Sequence, residues 1–458
     1  MTVHTATLRL VVATLAAVLT ASLAVAVQAP VAAAGSGRPA DDSASARGLG
    51  LKAFRSQGSF TGYGFDRCIT PSQRDMNEWR RTSPFAAVGI YISGAGRACP
   101  ASSQPYLSPR WVSRQHQLGW EILPIHIGLQ APCFQQGDPT PTKPRMSADL
   151  GKARRQGAWA ADDVVAKAQR FGMGRRSTLY MDIEWYDRSN KRCNRAVLGH
   201  IDSFTERIHQ LRYRAGLYSS GSAAIYSLDV ARHADRNRFT WPDQLWLAWG
   251  NGEANLDGGP YLSDDFWRNN KRLHQYKLDV TARYGSTRLT IDRNWLSIGQ
   301  GSQPRRQTGT CGRPLSFATY PRLERGSRGN RVAAARCLLR RSGYLQVPIT
   351  DRFDRRMARG VRRMQQDRGF PVSGVLSHRS WISLLATGRR DLVKVGSNEQ
   401  AVWRLQRALV AAGVSTPIDG VFSRKTARAA RVWQRHVGQR RTGVVHATHW
   451  RLLYRGRR

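Results

Sequence analysis

Thr178-Leu179-Tyr180-Met181-Asp182-Ile183-Glu184 is an apolar, partly β-branched run that closes on two carboxylates two residues apart. It reads as a strand, and side chains alternate across a strand, so Asp182 and Glu184 are expected on one side of it. Two acids aimed at one spot are the least that glycosidic bond cleavage requires. A lone D-x-E is common, so its weight depends on what the flanking chain builds.

Outward from this run, strand-like and helix-like patterns alternate between residues 58 and 299. Upstream, residues 60–65 read as a strand ending at Asp66, 72–79 as a helix, 86–92 as a second strand, 108–118 as a helix and 120–127 as a third strand. The longest helical pattern, 147–171, delivers the chain to the D-x-E strand. Downstream, helix 194–211, strand 214–219 and helix 223–231 follow, and residues 244–249, 272–276 and 289–292 supply strands six to eight. Such alternation predicts parallel pairing, and eight strands in about 240 residues predict an α/β fold, a closed (β/α)8 barrel. A doubly wound open sheet is the rival, but no Gly-rich dinucleotide fingerprint follows the first strand.

Catalytic side chains of such a barrel sit at the C-terminal ends of its strands. Asp66, Asp182, Glu184 and Asp292 fall at the ends of strands one, four, four and eight. Closure makes strands one and eight neighbours, so Asp66 and Asp292 are expected to flank one side of the mouth and face the opening pair. Structural alternatives are a helix cap for Asp66 and a turn for Asp292. Trp185 and Tyr186 follow the pair and Trp249 ends strand six, where aromatic faces can stack on sugar rings. Aromatic side chains filling the barrel are the alternative.

The chain carries 72 Lys and Arg against 31 Asp and Glu, a formal net charge of +41. From Cys311 to Arg458 the count is 32 basic against 7 acidic residues, so the excess concentrates in the last third. That points to an anionic polymer as partner. The N-terminus argues against nucleic acid. A short basic start, an apolar run over 10–27 and small residues up to Ala34 have the layout of a secretory signal peptide, with cleavage expected near Ala34. A retained anchor is the alternative; the Ala content with Thr14, Thr20 and Ser22 makes the run weakly hydrophobic and favours removal. Residues 35–57 read as a flexible lead-in. In an exported protein the six cysteines, Cys68, Cys99, Cys133, Cys193, Cys311 and Cys337, suggest disulfides.

Gly62-Tyr63-Gly64-Phe65-Asp66-Arg67-Cys68, residues 87–92, Gln130-Ala131-Pro132-Cys133, Asp182-Ile183-Glu184 and Ile291-Asp292-Arg293-Asn294 together resemble the glycoside-hydrolase-like domain of secreted actinobacterial proteins, itself similar to the glycoside hydrolase family 25 lysozymes. The resemblance covers residues 58–298 and implies a barrel directed at the glycan of peptidoglycan. Carried over by motif, it implies Glu184 as proton donor, Asp182 as the carboxylate that positions the sugar acetamido group, and Asp66 and Asp292 as supporting acids, with a retaining outcome if the chain follows family 25. Arg67-Cys68 directly after the first Asp departs from the lysozyme pattern. On this scaffold Cys68 and Cys99 follow strands one and two, and Cys133 and Cys193 strands three and four. Pairing them so would staple neighbouring loops, one of fifteen possible connectivities.

Residues 300–312 read as a linker, and beyond them the chain repeats itself. Gly326-Ser327, Val332, Leu339 and Gly343 recur as Gly396-Ser397, Val402, Leu409 and Gly413; after a one-residue slip Ile349, Phe353, Arg355, Gln365 and Trp381 recur as Ile418, Phe422, Arg424, Gln434 and Trp450. Both copies, 313–388 and 389–458, resemble the three-helix peptidoglycan-binding domain of cell-wall hydrolases, the first departing at Thr350-Asp351, where the second has Asp419-Gly420. Cys311 and Cys337 are expected to tie the first copy's start to its first helix. The resemblance implies peptidoglycan as partner, and the positive charge adds anionic wall polymers, an attraction that salt weakens. His446 and His449 lack a third ligand for a metal site. With no H-E-x-x-H and no nucleophile elbow, no metal and no cofactor is expected. The expected protein is a secreted, wall-associated monomer that hydrolyses peptidoglycan glycan or, alternatively, holds it without turnover.

Overall fold

The computed structural model describes residues 45–99, 101–135 and 142–458. The expected signal peptide lies outside the described residues. Eight strands close a barrel in sequence order. β1 (Phe60–Asp66), α1 (Gln73–Thr82), β2 (Ala87–Ser93), α2 (Pro109–Gln117), β3 (Glu121–His126), α3 (Leu150–Arg170), β4 (Thr178–Ile183), α4 (Lys191–Gln210), β5 (Arg214–Ser220), α5 (Tyr226–Ala234) and β6 (Gln244–Ala248) keep the expected alternation. Each of the first four helices starts where a short polar side chain takes the backbone N–H three residues on: Ser72 from Asp75, Ser108 from Trp111, Asp149 from Lys152 and Asn190 from Cys193. Such caps satisfy donors that the first turn leaves open.

The last two strands depart from an all-parallel barrel. β7 (Lys271–Tyr284) and β8 (Thr287–Ile298) form one hairpin turned at Gly285, and β8 runs antiparallel to both β7 and β1. A two-residue connection can only join antiparallel neighbours, whereas a parallel return needs a crossover. Asp292 therefore lies inside β8, not at its end. It still reaches the mouth, because β8 descends the barrel and pairs Asp292 with Asp66. Beyond the rim the hairpin packs Tyr284 against Trp79 and Phe85, and Trp79 Nε1 donates to Thr287 O at 3.4 Å.

Phe60, Leu123, Tyr180, Trp246, Leu273 and Leu296 fill the barrel interior, while a second apolar layer lies between strands and helices. The six cysteines form Cys68–Cys99, Cys133–Cys193 and Cys311–Cys337. Residues 45–57, expected to be flexible, are packed instead. Ala46, Ser56 and Gln57 are buried, Ala46 N–H donates to Arg170 O, and Ser56 N–H donates to Ser177 Oγ.

Each repeat is a three-helix unit: α6 (Asn330–Arg341), α7 (Arg355–Asp367) and α8 (His378–Leu385), then α9 (Gln400–Ala411), α10 (Arg424–His436) and α11 (Ala447–Tyr454). The second repeat is docked on the barrel. Lys394, 1% exposed, donates to Ser83 O at 3.1 Å and Phe85 O at 2.6 Å at the N-terminal end of the barrel, with its ammonium 5.2 Å from the Trp120 ring centre. Tyr276 and Trp295, on the outer face of β7 and β8, join the apolar core of the repeats. Burying each such ring contributes on the order of 2 kcal/mol. Nor is the expected linker a free tether. Asn398 Nδ2 donates to Gln303 O, Trp403 Nε1 to Arg305 O, and Thr308 N–H to Gln400 Oε1, so the segment is strapped along the second repeat. The H-x-x-H serves a helix start: the backbone N–H of His446 donates to His449 Nδ1 at 3.3 Å ahead of α11.

Candidate active site

Asp66 is the last residue of β1, Asp182 the penultimate residue of β4, and Glu184 stands one position past that strand. Buried Gln130 fixes the backbone around the pair: the Glu184 N–H donates to Gln130 Oε1 at 2.7 Å and Gln130 Nε2 donates to Asp182 O at 3.0 Å. Asp66, Glu184 and Asp292 line one cavity of about 360 Å³, together with Tyr91, Lys143 and the Cys68–Cys99 disulfide that staples its wall. Asp182 lies behind this lining, 1% exposed and close enough to feel the charges of Glu184 and Asp66.

The two sides of the site are built differently. Asp66 sits in a hydrogen-bond chain: Trp246 Nε1 donates to Asn294 Oδ1 at 2.7 Å, and Asn294 Nδ2 donates to Asp66 Oδ2 at 2.6 Å. Tyr218 hydroxyl donates to Gln275 Oε1 at 2.9 Å, while Gln275 Nε2 reaches Asp66 at 3.2 Å and Asp292 Oδ2 at 3.4 Å. Asp292 Oδ1 accepts the backbone N–H of Asp279, which stands at φ +49 in a bulge of β7. Gly89 permits this convergence, since a Cβ there would lie 2.5 Å from Asp66 Cβ and 2.9 Å from the Trp246 ring. Asp182, by contrast, has no hydrogen-bond partner on either carboxylate oxygen among the described residues.

Burial, and then the charge of Asp292, push Asp66 up to about 7, against the hydrogen bonds from Asn294 and Gln275. Burial also raises Asp292, and the neighbouring charge of Asp279 adds to it. Asp182 goes well above the usual carboxylate range, chiefly through burial, then the charge of Glu184, with Lys143 acting the other way. Burial without a hydrogen-bond partner favours the uncharged form of such a carboxyl. Glu184 is the half-exposed member and stands 3.6 Å from Lys143 Nζ through Oε1. The mouth thus holds two buried acids of raised proton affinity, Asp66 and Asp182, and the half-exposed Glu184 beside Lys143. Carboxyl groups gathered on two sides of one cavity can deliver a proton to a bond held between them.

Of the aromatic candidates, Trp185 is 58% exposed beside Glu184. Tyr186 is turned into the core, 1% exposed, with its hydroxyl donating to Asn194 Oδ1 at 2.8 Å, so it cannot face a sugar. Trp249 is half-buried, stacked on His274 with edge contact to Tyr261, and does not line the cavity. Sequence reasoning assigned no role to Tyr91, Gln130, Lys143, Tyr218, Gln275 or Asn294. Alternation offered a signal for one of them, because Asn294 shares a strand face with Asp292 as Glu184 does with Asp182. Gln275 and Lys143 reach the site through pairing and loop path, which no local pattern records.

Residues 77–296 match the Rv2525c-like, glycoside hydrolase-like domain, and residues 328–383 and 398–453 each match the peptidoglycan binding domain. No curated protein matches the chain significantly in sequence. Among solved structures, the chain is similar to the Mycobacterium tuberculosis Tat-secreted protein Rv2525c in complex with HEPES, at 16% identity over 52% of this chain and 97% of that one, with a TM-score of 0.34. It is also similar to the catalytic domain of endolysin ply40 from bacteriophage P40 of Listeria monocytogenes, at 15% identity over 52% and 93% of the two chains, TM-score 0.30. The Clostridium perfringens spore cortex lytic enzyme SleM aligns at 18% identity over 52% and 67%, TM-score 0.31.

Proposed function

Because the barrel is an Rv2525c-like, glycoside hydrolase-like domain and the C-terminal third comprises two peptidoglycan binding domains, we propose that the protein is a secreted, wall-directed glycoside hydrolase that cleaves glycosidic bonds in the glycan of peptidoglycan. The working units are a barrel of residues 58–299 and repeats of 313–388 and 389–458. The observation that carries this reading is the convergence of Asp66, Asp182, Glu184 and Asp292 at one mouth. Glu184, the carboxyl that reaches the cavity from strand four, is the proton donor. Asp182 sits behind it, off the cavity lining, as its positioning partner. Asp66 and Asp292 complete the opposite wall as supporting acids. Trp185, exposed at the rim, offers a ring face to a neighbouring sugar. The signal-like N-terminus and three disulfides support export.

The Lys143–Glu184 ion pair favours a second reading, a barrel that holds glycan without cutting it. Lys143 has to yield before Glu184 can deliver a proton. Incubation of the purified protein with defined peptidoglycans, followed by mass analysis of the soluble fraction, separates the two. Turnover releases muropeptides with new reducing ends. Sacculi of several chemotypes that bind the protein yet release nothing would leave only the second reading.

A further inference from the structure

The two repeats carry the same turn and put it to different use. Gly326 and Gly396, at φ +96 and +98, each donate to a phenylalanine carbonyl, Phe353 O at 3.1 Å and Phe422 O at 3.0 Å. Each phenylalanine donates back to a serine carbonyl, Ser327 O at 2.9 Å and Ser397 O at 2.8 Å. In the second repeat this turn is pressed on the barrel. A Cβ at Gly396 would come within 2.0 Å of the Phe60 ring, Gly396 O accepts the Ser302 hydroxyl at 2.7 Å, and Lys394 enters beside them. In the first repeat, nothing lies within 4 Å of the same position on Gly326.

The residues around the turn differ accordingly. Where the second repeat has Lys394, Val395, Asn398 and Val421, the first has Glu324, Arg325, Arg328 and Arg352. Arg355 corresponds to Arg424, which lies 4.4 Å from the Trp295 ring centre. Arg325, Arg328, Arg352 and Arg355 are all exposed, and their side chains have no hydrogen bond, ion pair or ring contact among the described residues. Arg328 and Arg352 oppose one another across an antiparallel bridge, an arrangement that like charges destabilise. The carboxylates nearby are largely engaged: Glu324 pairs with Arg322 at 3.2 Å, and Asp354 caps α7 and pairs with Arg336 at 3.2 Å, which leaves Asp351.

We propose that this face of the first repeat binds the phosphates of a phosphodiester-bearing wall polymer, while the second repeat is a fixed brace for the barrel. Guanidinium forks take phosphate oxygens two at a time, and a chain of repeated anions can engage several forks at once. The proposal rests on the wall-directed reading only for the source of the polymer. Its test uses the full-length protein and labelled long-chain inorganic polyphosphate, read by fluorescence anisotropy. The triple variant Arg325→Glu, Arg328→Glu and Arg352→Glu should weaken binding by at least about tenfold and flatten its salt dependence. Lys425→Glu with Arg428→Glu, a charge reversal on exposed positions of α10, should change it by less than about twofold. Equal losses in both variants, or a wild type that ignores polyphosphate, would overturn the proposal. So would undiminished retention on sacculi stripped of phosphodiester polymers with hydrofluoric acid. None of these readouts depends on glycan turnover, so the two proposals fail separately.

Discussion

The two ends of the barrel handle charge in opposite ways. At the C-terminal end, acids from β1, β4 and β8 gather at a solvent-reaching cavity, and burial raises the proton affinity of Asp66 and Asp182. At the N-terminal end one lysine is buried, yet two backbone carbonyls and the Trp120 ring receive it. Buried ionisable groups around an open cavity mark a place where chemistry is set up; a buried ammonium clasped by backbone carbonyls marks a joint. The difference teaches which end is available to a substrate and which is closed by the protein's own second repeat.

The sharpest way to break this comparison is at the open end. Glu184→Gln keeps the shape of the side chain and removes the proton, so turnover of peptidoglycan should fall by about 10²–10⁴-fold with an unchanged melting temperature. A variant that still released muropeptides at wild-type rate would remove Glu184 from the proposed role.

At the closed end the expected effect is on stability alone. Lys394→Ala leaves Ser83 O and Phe85 O without their donor and opens a hole under Trp120, a loss of about 2–4 kcal/mol. Chemical denaturation should show it as a lower midpoint, with glycan turnover per folded molecule retained. Burial lowers the proton affinity of Lys394 well below its ordinary value, so the folded state binds fewer protons there than the unfolded chain. Stability from this group is therefore recovered as pH rises toward the ordinary lysine range, and Lys394→Met should flatten that rise.

The acids at the mouth give the opposite slope. Asp66 is held at about 7 against an ordinary 3.8, so between those values the folded protein binds more protons than the unfolded one, and stability declines as pH rises through that window. Melting curves across the window should show a shallower decline in Asp66→Asn than in wild type. An unchanged slope would mean that Asp66 is ionised in the fold throughout. The smallest effect is expected at Trp185, whose ring is exposed at the rim. Trp185→Ala should raise KM by the loss of about 1 kcal/mol of stacking and leave kcat almost unchanged.

Much of this was legible locally. The strand before Asp182 and Glu184, the Asp ending β1 and the repeat of the C-terminal third follow from alternation, capping and self-similarity, which are properties of neighbouring residues. Tyr186 misled for the same reason: its position next to the acids is local, but its burial under α4 and α5 is not. Residues 45–57 and 300–312 have the composition of loose chain, and both are held by groups far away in sequence.

By itself, then, the sequence determined that a β/α barrel would bear four acids near its mouth and be followed by two kindred helical units, because strand period, helix caps and repeats are written in short-range order. Only the tertiary structure decided that β8 descends beside β1, that Asn294 and Gln275 gather around Asp66, that Lys143 meets Glu184, and that one repeat closes the barrel while the other keeps its turn open. Those outcomes depend on which surfaces meet across long stretches of chain, where pairing direction and burial are settled by packing.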